Sequence, residues 1–311
     1  MSSFQSPCRQ TLDRILREAG AFSYGVAEAD AVADDSKSHY RRWIEEGRHA
    51  SMSWLERHTA LRDDPRKLLD DARSVIVCAF PYPKPQDVAD GCLKFASYAL
   101  GDDYHDVIRK RLKEAARQIE EKFGGKTRVC VDTAPLRERY WAVRAGVGFI
   151  ARNCQLAIPG AGTRFFLGTI LSTIAFPVDR PIANHCPECG RCVEACPGKA
   201  LSKDGISSLD ANRCRSYLTI EHRDPFPVGL ELGEDIYGCD ICQNVCPLNI
   251  ATIEHLPEFH PREELLSFSR ERLQNMTEDE YKSFFRKSAI RRASLAMLWR
   301  NAGLDRPETG K

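Results

Sequence analysis

Eight of the thirteen cysteines fall in the 61 positions from Cys186 to Cys246, and this crowding restricts the fold more than any other feature. "HCPECGRCVEACPGKA" holds Cys186, Cys189, Cys192 and Cys196 followed by Pro197, a full C-x2-C-x2-C-x3-C-P run. "GCDICQNVCP" ends the same way with Cys239, Cys242 and Cys246, but Ile236 stands where the earliest cysteine of a full run would fall. The remaining cysteine of the region is Cys214, in "NRCRSYLTIE". A stretch this rich in Pro, Gly and Cys has little apolar material of its own, so metal supplies its core.

In two-cluster ferredoxins the first three cysteines of such a run hold one cubane and the fourth crosses to the other. Applied here, that rule gives one [4Fe-4S] cluster to Cys186, Cys189, Cys192 and Cys246. It gives the second to Cys196, Cys214, Cys239 and Cys242, with Cys214 replacing the missing ligand. Zinc also accepts four thiolates from C-x2-C pairs, so paired structural zinc sites are the competing metal reading. Three cysteines at three-residue steps ending in Cys-Pro suit a cubane wrapped by one loop better than two tetrahedral knuckles.

The N-terminal "MSSFQSPCRQTLDRILREAG" lacks the apolar core of a signal peptide, and no run approaches the roughly 18 apolar residues of a membrane span. The expected address is therefore the cytoplasm, with no membrane partner, where thiols stay reduced and dense cysteines read as metal or redox chemistry. A net charge of +1 rules out chain-wide basicity, so any nucleic-acid surface must be a local patch. Of the scattered cysteines, Cys78 in "SVIVCAF" and Cys130 in "RVCV" sit in apolar strand-like runs and read as buried packing.

The first 180 residues alternate helical and strand patterns, as in an α/β layer architecture. Ser6 as N-cap, Pro7 at the first helical position, an apolar face of Leu12, Ile15, Leu16 and Ala19, and Gly20 as terminator predict the first helix. "SVIVCAFPYP" predicts a strand, and "DYHDVIRKRLKEAARQIEEKFGG" a helix with Ile108, Leu112, Ala115 and Ile119 in register. "RVCVD" predicts a strand, followed by a helix from about Pro135; "RFFLGTILSTI" reads as a strand buried on both faces. "TEDE" at Thr277–Glu280 is a capping box opening a late helix.

A domain of this size ahead of two clusters implies that something in it receives electrons. No G-x-G-x-x-G follows a strand, so a dinucleotide fingerprint is missing. "GDDYHDVI" approaches the D-x-H-x-x-G motif that places a histidine under the cobalt of cobalamin, but Ile108 occupies the glycine position.

Five segments in order, "SYALGDDYHDVIRKRL", "VDTAPLRERYWAVRAGVGFIARN", "CPECGRCVEACPGKAL", "RCRSYLTIE" and "YGCDICQNVCP", resemble the epoxyqueuosine reductase family, cobalamin and iron-sulfur enzymes that complete queuosine in tRNA. The likeness runs from roughly residue 10 to residue 303. It implies an α/β (α+β) nitroreductase-related cobalamin-binding domain over 1–180 and a two-cluster bacterial ferredoxin-like domain over 181–256. A short C-terminal helical segment would follow over 257–311. It also implies base-off cobalamin without a histidine ligand, tRNA bearing epoxyqueuosine in its anticodon stem-loop, and an external donor such as a flavodoxin or ferredoxin system. A monomer is expected. Family members commonly continue past the segment matching "SAIRRASLAMLWRNAGL" into a helical-repeat tail, whereas this sequence stops at Lys311. The alternatives are a corrinoid iron-sulfur reductase of small molecules, reductive dehalogenase-like, and a ferredoxin-like electron-transfer protein.

Asp132 ends a strand ahead of a Pro-initiated helix and suits a capping role; the resemblance makes it the proton donor, which requires a raised pKa. Arg57 reads as a solvated helix charge from pattern and as a corrinoid contact from the resemblance. Tyr98, Tyr104 and His105 flank a glycine turn: the resemblance puts Tyr98 at the cofactor and Tyr104 and His105 at the substrate, against a core histidine with a satisfied partner. Asn153 and Cys154 lie by resemblance near the cofactor, against an inert buried thiol for Cys154. Lys282, Arg286, Lys287, Arg291, Arg292 and Arg300 occur in 281–300 without an acid, interleaved with Phe284, Phe285 and Trp299. Such a run is either a solvated face or a phosphate-contacting patch.

Overall fold

The computed structural model describes residues 7–187, 189–202, 208–226, 230 and 232–305. Its strands are β1 (Ser23–Glu28), β2 (Ser74–Pro81), β3 (Lys94–Phe95), β4 (Thr127–Cys130), β5 (Phe149–Ile150), β6 (Leu156–Ala157), β7 (Phe165–Ser172) and β8 (Asp235–Tyr237). The main sheet has the order β1-β2-β7-β4, and every pair in it is antiparallel, which places the fold on the α+β side of the expected class.

β2 is buried along all eight residues because both faces are covered. Ile76, Cys78 and Phe80 pack with Leu12, Ile15 and Leu16 of the helix Pro7–Glu18 and with Ile108, Leu112 and Ile119 of the helix Tyr104–Phe123. Val75, Val77 and Ala79 face the other way, against Trp141 and Ala142 of the helix Glu138–Arg144. Each of the larger aliphatic and aromatic side chains among these contributes roughly 1.5–3 kcal/mol relative to exposure, so β2 is the spine of a helix-sheet-helix sandwich. Two glycines set the spacing of its layers. A Cβ on Gly168 would stand 2.5 Å from Leu112 Cδ1, and one on Gly25 only 1.9 Å from the Ala145 carbonyl oxygen.

The predicted first helix is present as Pro7–Glu18 and is followed by Gly20 at φ +89°, the expected terminator; its proposed N-cap, Ser6, lies outside the described residues. Cys78 and Cys130 are buried in strands as expected. The helix placed at about Pro135 begins three residues later, at Glu138, since residues 132–137 form a bent loop. The capping box forms as read: Thr277 accepts from the Glu280 backbone N–H, and Glu280 accepts from Thr277.

β3 leaves the sandwich to pair in parallel with β8. Leu93, Phe95 and Leu100 share a core with Ile236, Tyr237 and the late residues Phe268, Tyr281, Phe285 and Leu298. Ile236, at the position of the missing cysteine, is fully buried in that core. Among the described residues no helix is long and apolar enough to cross a membrane.

Candidate functional site: a histidine between two carboxylates beside paired thiol quartets

Asp103 precedes the helix Tyr104–Phe123, and its carboxylate accepts from the His105 backbone N–H at 3.0 Å as a helix N-cap. The same Asp103 oxygen lies 2.7 Å from His105 Nδ1, which turns the other ring nitrogen, Nε2, toward Asp132 Oδ2 at 2.9 Å. Asp103 is 4% exposed and also pairs with Arg291 at 2.9 Å. Burial works against a charged His105, but the hydrogen bonds and charges of Asp103 and Asp132 outweigh it and raise the imidazole to about 9. His105 is therefore an imidazolium near neutral pH.

Asp132 differs from the expectation that it holds its own proton. Burial pulls its carboxyl upward, yet the His105 hydrogen bond and charge, aided by Arg139 and Arg292, hold it below the usual carboxylate range. Its side chain, 53% exposed, is an anion that faces solvent on one side and His105 on the other. The proton expected on Asp132 thus resides on His105, 2.9 Å away. Asp132 also adopts φ +53°, a left-handed conformation rare outside glycine and concentrated at functional sites.

Tyr104 stacks on Phe166 at 4.4 Å between centroids and on the His105 ring at 4.0 Å. Burial holds the phenols of Tyr98 and Tyr104 well above their ordinary ionisation. Asn153, 3% exposed, is used internally: its side-chain N–H donates to the Cys242 carbonyl at 3.3 Å and its oxygen accepts from the Gln155 N–H. Cys154 has φ +62° and packs beside Cys192, Cys196, Cys214 and Cys242, where burial raises its thiol to about 11. Arg57 is exposed and donates to Ser53 Oγ at 3.2 Å.

The C-terminal basic run divides. Lys282, Arg286, Lys287, Arg291 and Arg292 are exposed. Arg291 bridges Asp103 and Asp106, and Arg292 forks onto Glu221 while its guanidinium lies 5.2 Å from the Trp54 ring centroid. Because Arg291 and Arg292 act on Asp103 and Asp132 respectively, both stand at the rim of the His105 site. Arg300 instead donates to the carbonyls of Leu218, His222 and Asp224. Phe285 and Trp299 are core residues at 1% and 8% exposure, which removes them as base-stacking partners.

The cysteines gather as two sets. Cys186, Cys189, Cys192 and Cys246 line one cavity with Asn153 and Gly190. In the other set Cys239, Cys214 and Cys196 all act on Cys242, whose thiol burial pushes far up. Gly198 brings the two parts of this second set together, since its Cα approaches the chain so closely that a Cβ would lie 1.8 Å from the Arg213 carbonyl oxygen. Two all-thiol sets are a soft donor set suited to iron-sulfur cubanes. A clamp joins the second quartet to the site: Asp240 accepts from both the N–H and the hydroxyl of Ser97 at 2.7 Å, immediately before Tyr98. The groove lined by Tyr82, Lys84, Arg164, His255 and His260 contains none of the predicted site residues.

Asp103, Glu138 and Trp54 were not singled out from sequence. Asp103 carries a signal, an aspartate directly ahead of a helix and two residues before a histidine; Glu138 and Trp54 meet the site only through tertiary packing.

The family model for epoxyqueuosine reductase QueG, DUF1730, matches residues 62–133, and that for a 4Fe-4S double cluster binding domain matches residues 185–249. The chain is 34% identical to the epoxyqueuosine reductase of Cellulophaga algicola over 93% of its own length and 96% of the relative's. It is 38% identical to that of Synechocystis sp. over 89% and 98%. These relatives extend little beyond the matched region, so a long tail is not common to all of them. A crystal structure of epoxyqueuosine reductase with an epoxyqueuosine-modified tRNA-Tyr stem loop aligns with a TM-score of 0.87 at 30% identity, covering 94% of this chain and 79% of that one. The Bacillus subtilis enzyme, solved with its catalytic aspartate loop swung out of the active site, aligns at 0.84 and 28% identity over 95% and 80%. The chain belongs to the epoxyqueuosine reductase family.

Proposed function

We propose that the chain reduces epoxyqueuosine to queuosine at the wobble position of tRNA. One observation carries the reading within the family: a proton-holding His105–Asp132 couple in a chain that also gathers two sets of four cysteines, with Asp240, next to Cys239, holding Ser97 beside Tyr98. Turning an epoxide into an alkene consumes two electrons and two protons and releases the oxygen as water. The site offers both currencies side by side.

In this reading Cys186, Cys189, Cys192 and Cys246 hold one [4Fe-4S] cluster, and Cys196, Cys214, Cys239 and Cys242 the other, within the division 1–180, 181–256 and 257–311. Cobalamin, when bound, supplies the paired-electron chemistry that clusters passing one electron each lack. The residues suit a base-off corrinoid in one respect: both ring nitrogens of His105 are engaged by carboxylates, so this histidine offers cobalt no lone pair. Tyr98, Cys154 and Arg57 would border the corrinoid, with Asn153 bracing its loop against Cys242. His105 Nε2 gives its proton to the Asp132 carboxylate as the epoxide opens, and Asp132 passes it to the opening oxygen; Asp103 keeps the ring aligned by holding Nδ1. Lys282, Arg286, Lys287, Arg291 and Arg292 receive the phosphates of the anticodon stem-loop. A one-electron donor of the flavodoxin or ferredoxin type feeds the clusters.

The test is anaerobic reconstitution with iron, sulfide and cobalamin, followed by incubation with an epoxyqueuosine-bearing stem-loop and a low-potential reductant. Retention of cobalt and formation of queuosine are expected. Cobalt-free protein would leave an electron carrier, and turnover of small organohalides with none of the stem-loop would leave a small-molecule reductase.

A further inference from the structure

The backbone of Asp132 is held by a group that takes no part in the proton path above. Its N–H donates to Glu138 Oε1 at 2.9 Å, so the first residue of the 132–137 loop is tied to the first residue of the following helix. Inside the loop the Thr133 N–H donates to the Val131 carbonyl at 2.6 Å and the Leu136 N–H to the Ala134 carbonyl at 2.7 Å. The first of these closes a three-residue turn with Asp132 at its centre and so constrains its backbone, while the second leaves Asp132 untouched; neither directs its side chain. A left-handed φ of +53° at an aspartate persists where surrounding contacts over-determine it. Here two contacts add to that turn from opposite sides, His105 on the carboxylate and Glu138 on the amide.

Glu138 is well placed to act as an anchor. It opens a helix whose Trp141 and Ala142 are buried against β2, and whose last turn lies so close to β1 that Gly25 has no room for a Cβ beside Ala145. The acceptor therefore sits on a rigid element and the strained residue on a loop.

We propose that Glu138 is the positioning residue of this site, its carboxyl oxygen holding the Asp132 N–H so that the Asp132 side chain stays directed at His105. The inference rests on the proposed role of Asp132. Burial and the Asp132 charge raise Glu138 to about 8, so near neutral pH it accepts mainly through the carbonyl oxygen of a neutral acid. Glutamine reproduces that acceptor; aspartate keeps the acid but falls one methylene short.

The test uses the reconstituted holoenzyme with Glu138→Gln, Glu138→Asp and Glu138→Ala. Two kinds of readout are taken: amide exchange at Asp132, and steady-state kinetics (kcat and KM) on the epoxyqueuosine stem-loop. Glu138→Asp and Glu138→Ala are expected to speed exchange at Asp132 at least about tenfold. They should lower kcat by a similar factor, with KM within about twofold. Glu138→Gln should stay within about threefold of the parent in both readouts. Unchanged exchange at Asp132 in Glu138→Asp would overturn the proposal, as would a Glu138→Gln variant that behaves like Glu138→Ala. Exchange is measured without turnover, so a parent protein inactive on the stem-loop would sink the assigned reaction while the exchange data still decide the role of Glu138.

Discussion

His105 Nε2 stands 2.9 Å from Asp132 Oδ2 while Nδ1 stands 2.7 Å from Asp103 Oδ1, so one imidazolium is shared between two carboxylates. The pairing moves the site's proton from the aspartate to the histidine and makes the electrostatics of residues 103, 105 and 132 one unit.

That unit has a pH signature. The folded-state pKa of His105, about 9, lies above its ordinary 6.5, so its contribution to stability is fully present below about 6.5 and lost as pH rises through about 9. After discounting for partial exposure, the contribution is on the order of 2 kcal/mol. Chemical denaturation between pH 6 and 10 should show this loss in the parent, and His105→Gln should flatten it. The imidazole resonances should titrate near 9.

Removing cluster ligands should be selective. Cys246→Ala and Cys214→Ala strike different quartets, so each should bring bound iron from roughly eight to roughly four per chain, with the two variants losing different cubane signals. Iron analysis and electron paramagnetic resonance after anaerobic reconstitution check this; eight irons in Cys214→Ala would reassign the second quartet.

Gly198 should matter as much as a ligand. An alanine Cβ there would lie 1.8 Å from the Arg213 carbonyl oxygen, forcing the Cys196 turn away from Cys214. Gly198→Ala should cost about 1–3 kcal/mol in stability. It should also deplete the second cluster while leaving the first intact, read as iron content alongside thermal unfolding.

Arg291 reaches both Asp103 and Asp106 and stands half exposed at the rim of the site. If it trades these partners for an RNA phosphate, Arg291→Ala should weaken stem-loop binding and lower the slope of log K against log salt by about 1. Fluorescence anisotropy across a salt series measures both. Arg300→Ala, which loses internal partners in the carbonyls of Leu218, His222 and Asp224, the Asn301 side chain and the Phe226 ring, should leave the slope unchanged and act on stability.

Local signals in the sequence reached far into this molecule. The cysteine runs state their own grouping because cubane ligation is written in spacing, and β2 and the helix Tyr104–Phe123 declare themselves through uninterrupted or 3.6-periodic apolar residues. What escaped depended on contacts between distant segments. The antiparallel order of the sheet is invisible to an alternating helix-strand pattern, and Phe285 and Trp299 look like exposed aromatics until β3 and β8 close a core over them. Asp132 was legible as a residue but not as a charge state, because His105 lies 27 positions away and reverses the pull of burial.

The most direct measurement is single-turnover reduction of an epoxyqueuosine stem-loop by the reconstituted parent and by Asp132→Asn, matched for iron and corrinoid content. Asparagine preserves the shape and can still meet His105, but it cannot carry the proton. Queuosine is expected from the parent, and from the variant a rate at least about 10²-fold lower. Equal rates from the two proteins would contradict the role assigned to Asp132.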